Sequence, residues 1–210
     1  MRERYLAGFT MIELLLAMVI IGVLAAITLD LNFSSRKRIT ALVADTQTLA
    51  LAIYDMQNRT LSFLPATSPI SGHNGYGVYF DLAEPNSFRT FYRTDSPTFN
   101  PSDLQSLFKA PTDKSVFSFG NKISKICLNG GTEKCSSNSN FSGLALFFVK
   151  PKQYANFYIL QNGSFSSKIS DLPIAPVCLE ITTGQNEAVE SRSVTVSYVG
   201  QISEKVGPCQ

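Results

Sequence analysis

The chain has 210 residues, 44% hydrophobic and 16% charged, which suits one globular domain with a short additional segment and disfavours disorder or a tandem repeat. Lys and Arg number 18 against 16 Asp and Glu, and from residue 60 onward the balance is 12 basic to 11 acidic, so nucleic-acid binding through bulk charge is disfavoured. One His and four separated Cys do not supply the ligand clusters of a zinc enzyme or zinc finger, but they do allow disulfides.

MRERYLAG, with Arg2 and Arg4, is followed by FTMIELLLAMVIIGVLAAITLDL, an apolar run broken mainly by Thr10, Glu13 and Thr28. As a helix rising about 1.5 Å per residue, Phe9 to Leu31 covers about 33 Å, enough for a hydrocarbon core of about 30 Å. A secretory signal shares the basic start and apolar core, and AAITLD could pass for its cleavage region. Glu13 argues against a plain signal, because a carboxylate near the start of an apolar helix is expensive in lipid and suggests a defined partner. Snorkelling to the interface is the alternative.

The segment GFTMIELLLAMVIIGVLAAI resembles the N-terminal signature of bacterial type IV prepilins and type II secretion pseudopilins. The resemblance implies cleavage between Gly8 and Phe9 by a prepilin peptidase, methylation of the new Phe9 amine, and retention of the apolar helix. It implies a leader over 1–8, a transmembrane and assembly helix over 9–31, an amphipathic continuation over 32–59 and a β-rich extracytoplasmic head over 60–210. The expected fold is α+β, with a long N-terminal helix packed on an antiparallel β-sheet head. The expected protein is a non-enzymatic, cofactor-free filament subunit, single-pass in the cytoplasmic membrane. Its expected partners are the prepilin peptidase, other pilin or pseudopilin subunits, an inner-membrane assembly platform and membrane lipid.

Cleavage would place a positive amine on Phe9 one turn from the Glu13 carboxylate, and opposite charges in lipid should pair. The pairing is either within one chain, at i to i+4 spacing, or with the amine of a neighbouring subunit, the assembly role that the family assigns to this Glu. Two features depart from the family pattern. Asp30 stands where major pilins commonly have a kinking Pro, and Gly22, present as in the family, costs a helix only about 1 kcal/mol, so a kink or local melting is in doubt. Arg36-Lys37-Arg38, just past the apolar run, opposes the expected orientation under the positive-inside rule, unless it sits among anionic headgroups.

Between Arg36 and Arg59, apolar Ile39, Leu42, Val43, Leu49, Ala50, Ile53 and Tyr54 recur at three- and four-residue steps, which predicts an amphipathic helix packing on its own domain, with Thr46 interrupting the stripe. After Pro65 short alternating runs follow: YGVYFDL, SFRTFYRT, VFSFG, ISKICL, GLALFFV, NFYILQ, VCLEITT, RSVTVSYVG and QISEK. They predict antiparallel strands, with LNGGTEKC as a hairpin and SSNSNFS as a polar loop. The last stretch, an apolar strand, TTGQNEAVES and RSVTVSYVGQIS, resembles the closing hairpin of H-type pseudopilins and related minor pilins. Cys127, Cys135, Cys178 and Cys209 all lie in the expected extracytoplasmic part. Of three possible pairings, Cys127 with Cys135 and Cys178 with Cys209 are expected, four core thiols being the alternative.

No catalytic constellation is evident. His73 in SGHNGYG reads as a turn residue, since no G-x-S-x-G elbow accompanies it, and Gly130-Gly131 as a hairpin turn without phosphate-loop context. Asp81 and Glu84 read as solvated strand-end carboxylates. Phe88, Phe91, Tyr92, Phe147, Phe148, Phe157 and Tyr158, near Arg89, Arg93, Lys150 and Lys152, could stack single-stranded DNA but read better as core. Nucleic acid is an unlikely partner, and a filament-displayed binding module for DNA uptake or adhesion is the second reading.

Overall fold

The computed structural model describes residues 10–61, 75–93, 113–128, 134–137, 141–149, 154–161, 164–165, 176–183 and 190–209, the side chains of 29–35, 113, 134 and 164 excepted. Expectations for Gly8, Phe9, His73, Gly130, Gly131, Lys150, Lys152, the SSNSNFS loop and the Asp30 side chain therefore fall wholly or largely outside the described residues. The chain divides into two compact units, residues 1–40 and 41–210.

One helix, α1, spans Met11–Leu61. Thr10 caps its start: the Thr10 carbonyl accepts the Glu13 and Leu14 N–H at 3.0 and 3.2 Å. Leu, Ala, Met and Glu favour the helix strongly enough that Gly22 does not interrupt it, and Pro65 beyond its end could not continue it.

The distal part of α1 forms the second unit with eleven strands among the described residues. These are β1 (Gly75–Asp81), β2 (Ser87–Arg93), β3 (Asp113–Val116), β4 (Lys122–Leu128), β5 (Lys134–Cys135), β6 (Phe141–Val149), β7 (Ala155–Gln161), β8 (Ser164–Phe165), β9 (Val177–Thr182), β10 (Ser191–Val196) and β11 (Ile202–Val206). They make two antiparallel sheets, in the orders β3-β2-β1-β6-β7-β8 and β11-β10-β9-β4-β5. The edges are blunted in the usual ways: β5 and β8 have two residues each, and β11 carries Glu204 and Lys205. Hydrogen bonds from Ile123 N to Pro85 O (2.8 Å) and Ala155 N to Tyr198 O (2.9 Å) join the sheets, and Tyr154 stacks on Tyr198 with ring centroids 5.0 Å apart.

One core holds the helix to both sheets. Leu42, Leu49, Ala50, Ile53 and Met56 of α1 meet Val78, Phe80, Phe88, Leu144, Leu146 and Phe148 of the first sheet and Ile126, Leu179, Ile181, Val194 and Val196 of the second. The helical stripe differs from expectation at three positions. Ile39 and Tyr54 are 39% and 55% exposed, and Thr46, expected to interrupt the stripe, is fully buried. Thr46 is tolerated because its hydroxyl donates back to the Leu42 carbonyl at 2.6 Å.

The other face of the first sheet carries its own cluster of Tyr79, Phe91, Phe147, Tyr158 and Phe165. Burial on both faces explains why β1 is buried at six of its seven positions. Gly77 stands in register with Phe91 on one side and Phe147 on the other, and those two rings lie parallel with centroids 5.7 Å apart. A Cβ at Gly77 would run into the Phe91 ring and the Leu146 carbonyl, so the glycine makes room for the pair.

VFSFG, expected as strand, is instead the end of β3 and a turn. Phe119 and Gly120 have φ of 52° and 74°, which reverses the chain before β4.

Candidate functional site

The first candidate is the exposed apolar segment of α1. Met11–Thr28 is long and apolar enough to cross a membrane, and none of it is buried. Its side chains are apolar around the whole circumference, the pattern of a helix that is enclosed by lipid or by other helices rather than lying half on a surface. Thr28 is adapted to such surroundings, its hydroxyl within hydrogen-bond distance of the Leu24 and Ala25 carbonyls at 3.1 and 2.9 Å. Glu13 is the one acidic group of the first turn. Thr10 and Glu13 have the spacing of a capping box, and the helix dipole favours a carboxylate there. The Glu13 carboxylate is exposed and has no ion pair among the described residues. Past the span, Arg36, Lys37 and Arg38 are exposed as well.

The second candidate lies in the head, where a buried carboxylate on α1 holds a turn. Asp45 is 8% exposed. It accepts Ser118 N at 2.9 Å, Ser118 Oγ at 2.9 Å and Asn121 Nδ2 at 2.7 Å. Three donors compensate the charge without a cation. The carboxylate thereby fixes the turn on which Phe119 stands 70% exposed in a left-handed conformation that a phenylalanine rarely adopts. Sequence reasoning passed over Asp45; the available signal was an Asp beside a Thr inside an apolar helical stripe, where a buried charge demands partners. Elsewhere on α1, Gln47, Ala50, Leu51 and Tyr54 line a groove of about 430 Å³ with Ile202 and Glu204 of β11.

The residues weighed for chemistry are spread over separate local arrangements. Asp81 accepts the Tyr79 hydroxyl at 3.0 Å and Ala83 N at 2.8 Å. Burial, then the neighbouring Asp81 charge, push the Tyr79 hydroxyl well above its ordinary pKa. Glu84 pairs with Lys114 at 2.9 Å and Arg89 at 3.0 Å, and these hydrogen bonds, the Lys114 one foremost, hold its carboxyl below the ordinary 4.5. The two carboxylates thus serve different partners rather than forming an acid–base pair. Of the aromatics weighed for base stacking, Phe88, Phe91, Phe147, Phe148, Phe157 and Tyr158 are all buried, while Tyr92 is 56% exposed. A buried ring offers no face to a base.

The structure has disulfides Cys127–Cys135 and Cys178–Cys209. The first joins β4 to β5 where the two cysteines stand in register; the second fastens the segment after β11 to β9.

An apolar segment exposed on all sides, opening on a capped turn with one acidic residue, places the chain in the class of proteins that carry an N-terminal helix long and apolar enough to cross a membrane. Within that class, residues 4–29 match the prokaryotic N-terminal methylation motif, which is typical of type IV prepilins and type II pseudopilins. The motif implies a pilin or pseudopilin processed by a prepilin peptidase. No curated protein and no solved structure matches the chain.

Proposed function

We propose that the protein is a minor pilin or pseudopilin of a type IV pilus or a type II secretion filament. Cleavage between Gly8 and Phe9 and methylation of Phe9 yield the mature subunit, and Glu13 pairs with the amine of a neighbouring subunit during assembly. The observation that carries this reading is the methylation motif over residues 4–29, on a chain whose apolar helix is exposed from Met11 to Thr28. Outside lipid such a helix must be covered by other protein, and a filament of like helices provides that cover. The head stands on the extracytoplasmic side, supported by two disulfides that an oxidising compartment would preserve.

Intact mass spectrometry of membrane-extracted protein tests the processing: the mature chain should begin at Phe9 with one added methyl group. A chain that keeps Met1, or begins after Ala26, overturns it. Glu13→Val tests assembly. The variant should insert into the membrane at the wild-type level and fall at least about tenfold in sheared filaments; undiminished incorporation removes the intersubunit pairing.

A further inference from the structure

Cys127, Cys135, Cys178 and Cys209 form one buried cluster rather than two separate pairs. Cys127 occupies the middle of three strands, opposite Cys135 across β4 and β5 and opposite Cys178 across β4 and β9. The three therefore share one row on one face of the sheet. Ser136 N donates to the Ile126 carbonyl at 2.8 Å and Ile126 N donates to Ser136 Oγ at 3.2 Å, so the Ile126 backbone faces β5 and that of Cys127 faces β9. Cys127 and Cys178 are then a hydrogen-bonded antiparallel pair, whose Cα atoms lie about 5.5 Å apart. A disulfide bridges roughly 4.4–6.8 Å. A disulfide also needs its Cβ atoms about 3.5–4.5 Å apart, and those of a hydrogen-bonded pair stand nearer about 5.5 Å, so Cys127 reaches Cys178 with a closing of β4 on β9 by about 1 Å. While Cys209 holds Cys178, that exchange is blocked.

Cys209 is held less firmly than the others. The segment that carries it is tied to the sheet by Gly207 N to the Ser191 carbonyl at 2.9 Å and Cys209 N to Glu180 Oε2 at 3.2 Å. Cys209 is also the most exposed of the four, at 6%. Local opening of this segment is the least demanding route by which a thiol could reach the cluster, since it disturbs no central strand.

We propose that the four cysteines form a disulfide relay with Cys178 as its exchange centre. In the first step an external dithiol is oxidised to its disulfide, and the Cys178–Cys209 bond is reduced to two thiols. In the second, the Cys178 thiolate attacks the Cys127 sulfur, the Cys127–Cys135 bond breaks, the Cys127–Cys178 bond forms, and Cys135 leaves as a thiolate that takes up a proton. The second step changes no oxidation state. Its product keeps the sheet cross-linked between β4 and β9 while freeing the segment from Gly207 onward. Loop closure favours the observed bond while the chain folds: in an unfolded chain Cys127 favours Cys135, 8 residues away, over Cys178 by roughly 16-fold. The fold cancels that preference by holding both beside Cys127.

Full-length Cys209→Ser protein, matured in an oxidising compartment, alkylated and mapped by non-reducing peptide analysis, tests the relay. The expected result is a Cys127–Cys178 peptide in at least about half of the molecules, with Cys135 alkylated. Retention of Cys127–Cys135 with Cys178 alkylated overturns the proposal. Wild-type protein exposed briefly to limiting dithiol and acid-quenched decides the matter independently of how the variant folds. A species with Cys127–Cys178 closed and Cys135 and Cys209 alkylated supports the relay; partly reduced species that all retain Cys127–Cys135 overturn it.

Discussion

Helix α1 contains two regions built on opposite rules. Between Met11 and Ile27 every large apolar side chain is more than half exposed, and the helix is held by its own backbone bonds and by whatever surrounds it. From Ala41 to Leu61 the apolar groups are sorted: Leu42, Leu49 and Ile53 are at most 2% exposed, whereas Leu51 is 66% exposed. Helix propensity serves both regions equally, so the contrast lies in who supplies the covering surface. The distal part brings its partner with it in the same chain. Among the described residues the apolar segment has no such cover, the physical condition for a helix that resides in lipid or passes into an assembly of its like.

Truncation should separate the two regions most sharply. A chain beginning at Ala41 keeps every helical residue of the core and should fold cooperatively, since residues 41–210 form one compact unit. A chain beginning after Leu61 loses Leu42, Leu49, Ala50, Ile53 and Met56, uncovering both sheets. It should show no cooperative melting, or aggregate. Calorimetry of the two fragments is the measurement, and equal melting temperatures would mean that the helix is dispensable to the head.

Point substitutions sharpen the same contrast. Leu49→Ala should cost about 3–4 kcal/mol, a deletion in a packed core. Leu51→Ala, the same deletion two residues on and on the opposite, exposed face of the helix, should stay within about 0.5 kcal/mol. Denaturant melts of the full chain in detergent would read both, and a large cost at Leu51 would show that the exposed face is covered in the free protein.

Asp45 comes next in expected size. Asp45→Ala removes the acceptor for Ser118 N, Ser118 Oγ and Asn121 Nδ2. The Asn121 amide is buried and is left unpaired, while exposed Ser118 can turn to water, so the cost should be about 1–3 kcal/mol. Hydrogen exchange should then speed up first at the turn from Phe117 to Lys122. Exchange unchanged there would mean that the turn is held by Phe117 packing alone.

These same residues mark how far the sequence could be read. The apolar segment was legible because its uniform hydropathy depends on no tertiary partner. The distal helix was legible from Leu42, Leu49, Ala50 and Ile53, whose spacing repeats the helical period. Tyr54 and Ile39 misled because apolar character alone does not say which edge of a stripe the sheets reach. Strand alternation located most of the β elements, yet VFSFG failed. Its apolar residues serve a turn, and the cause of the turn, Asp45, lies 73 residues away from Ser118. The division into two sheets was hidden for the same reason, since it is decided by long-range pairings such as β1 with β6 and β4 with β9.

The smallest expected effect is electrostatic and belongs to the surface of the head. Glu84 bridges Lys114 of β3 and Arg89 of β2, and its pKa is lowered by those contacts. A folded-state pKa below the unfolded value means that the unfolded chain binds the proton first as pH falls. The contribution of Glu84 is therefore complete above its ordinary 4.5 and is lost as pH drops through the lower folded value. Because the Glu84 side chain is about half exposed and its partners lie at the surface, salt should screen the effect further. Wild type and Glu84→Gln, melted at pH 6 and again near pH 3, should differ more at pH 6 than at pH 3. The apolar segment, whose anchoring depends on no such pair, should be extracted from membranes identically in both. A difference that grows toward acid would have the wrong sign for a carboxylate stabilised in its charged form, and would assign the pair no role in holding β2 and β3 together.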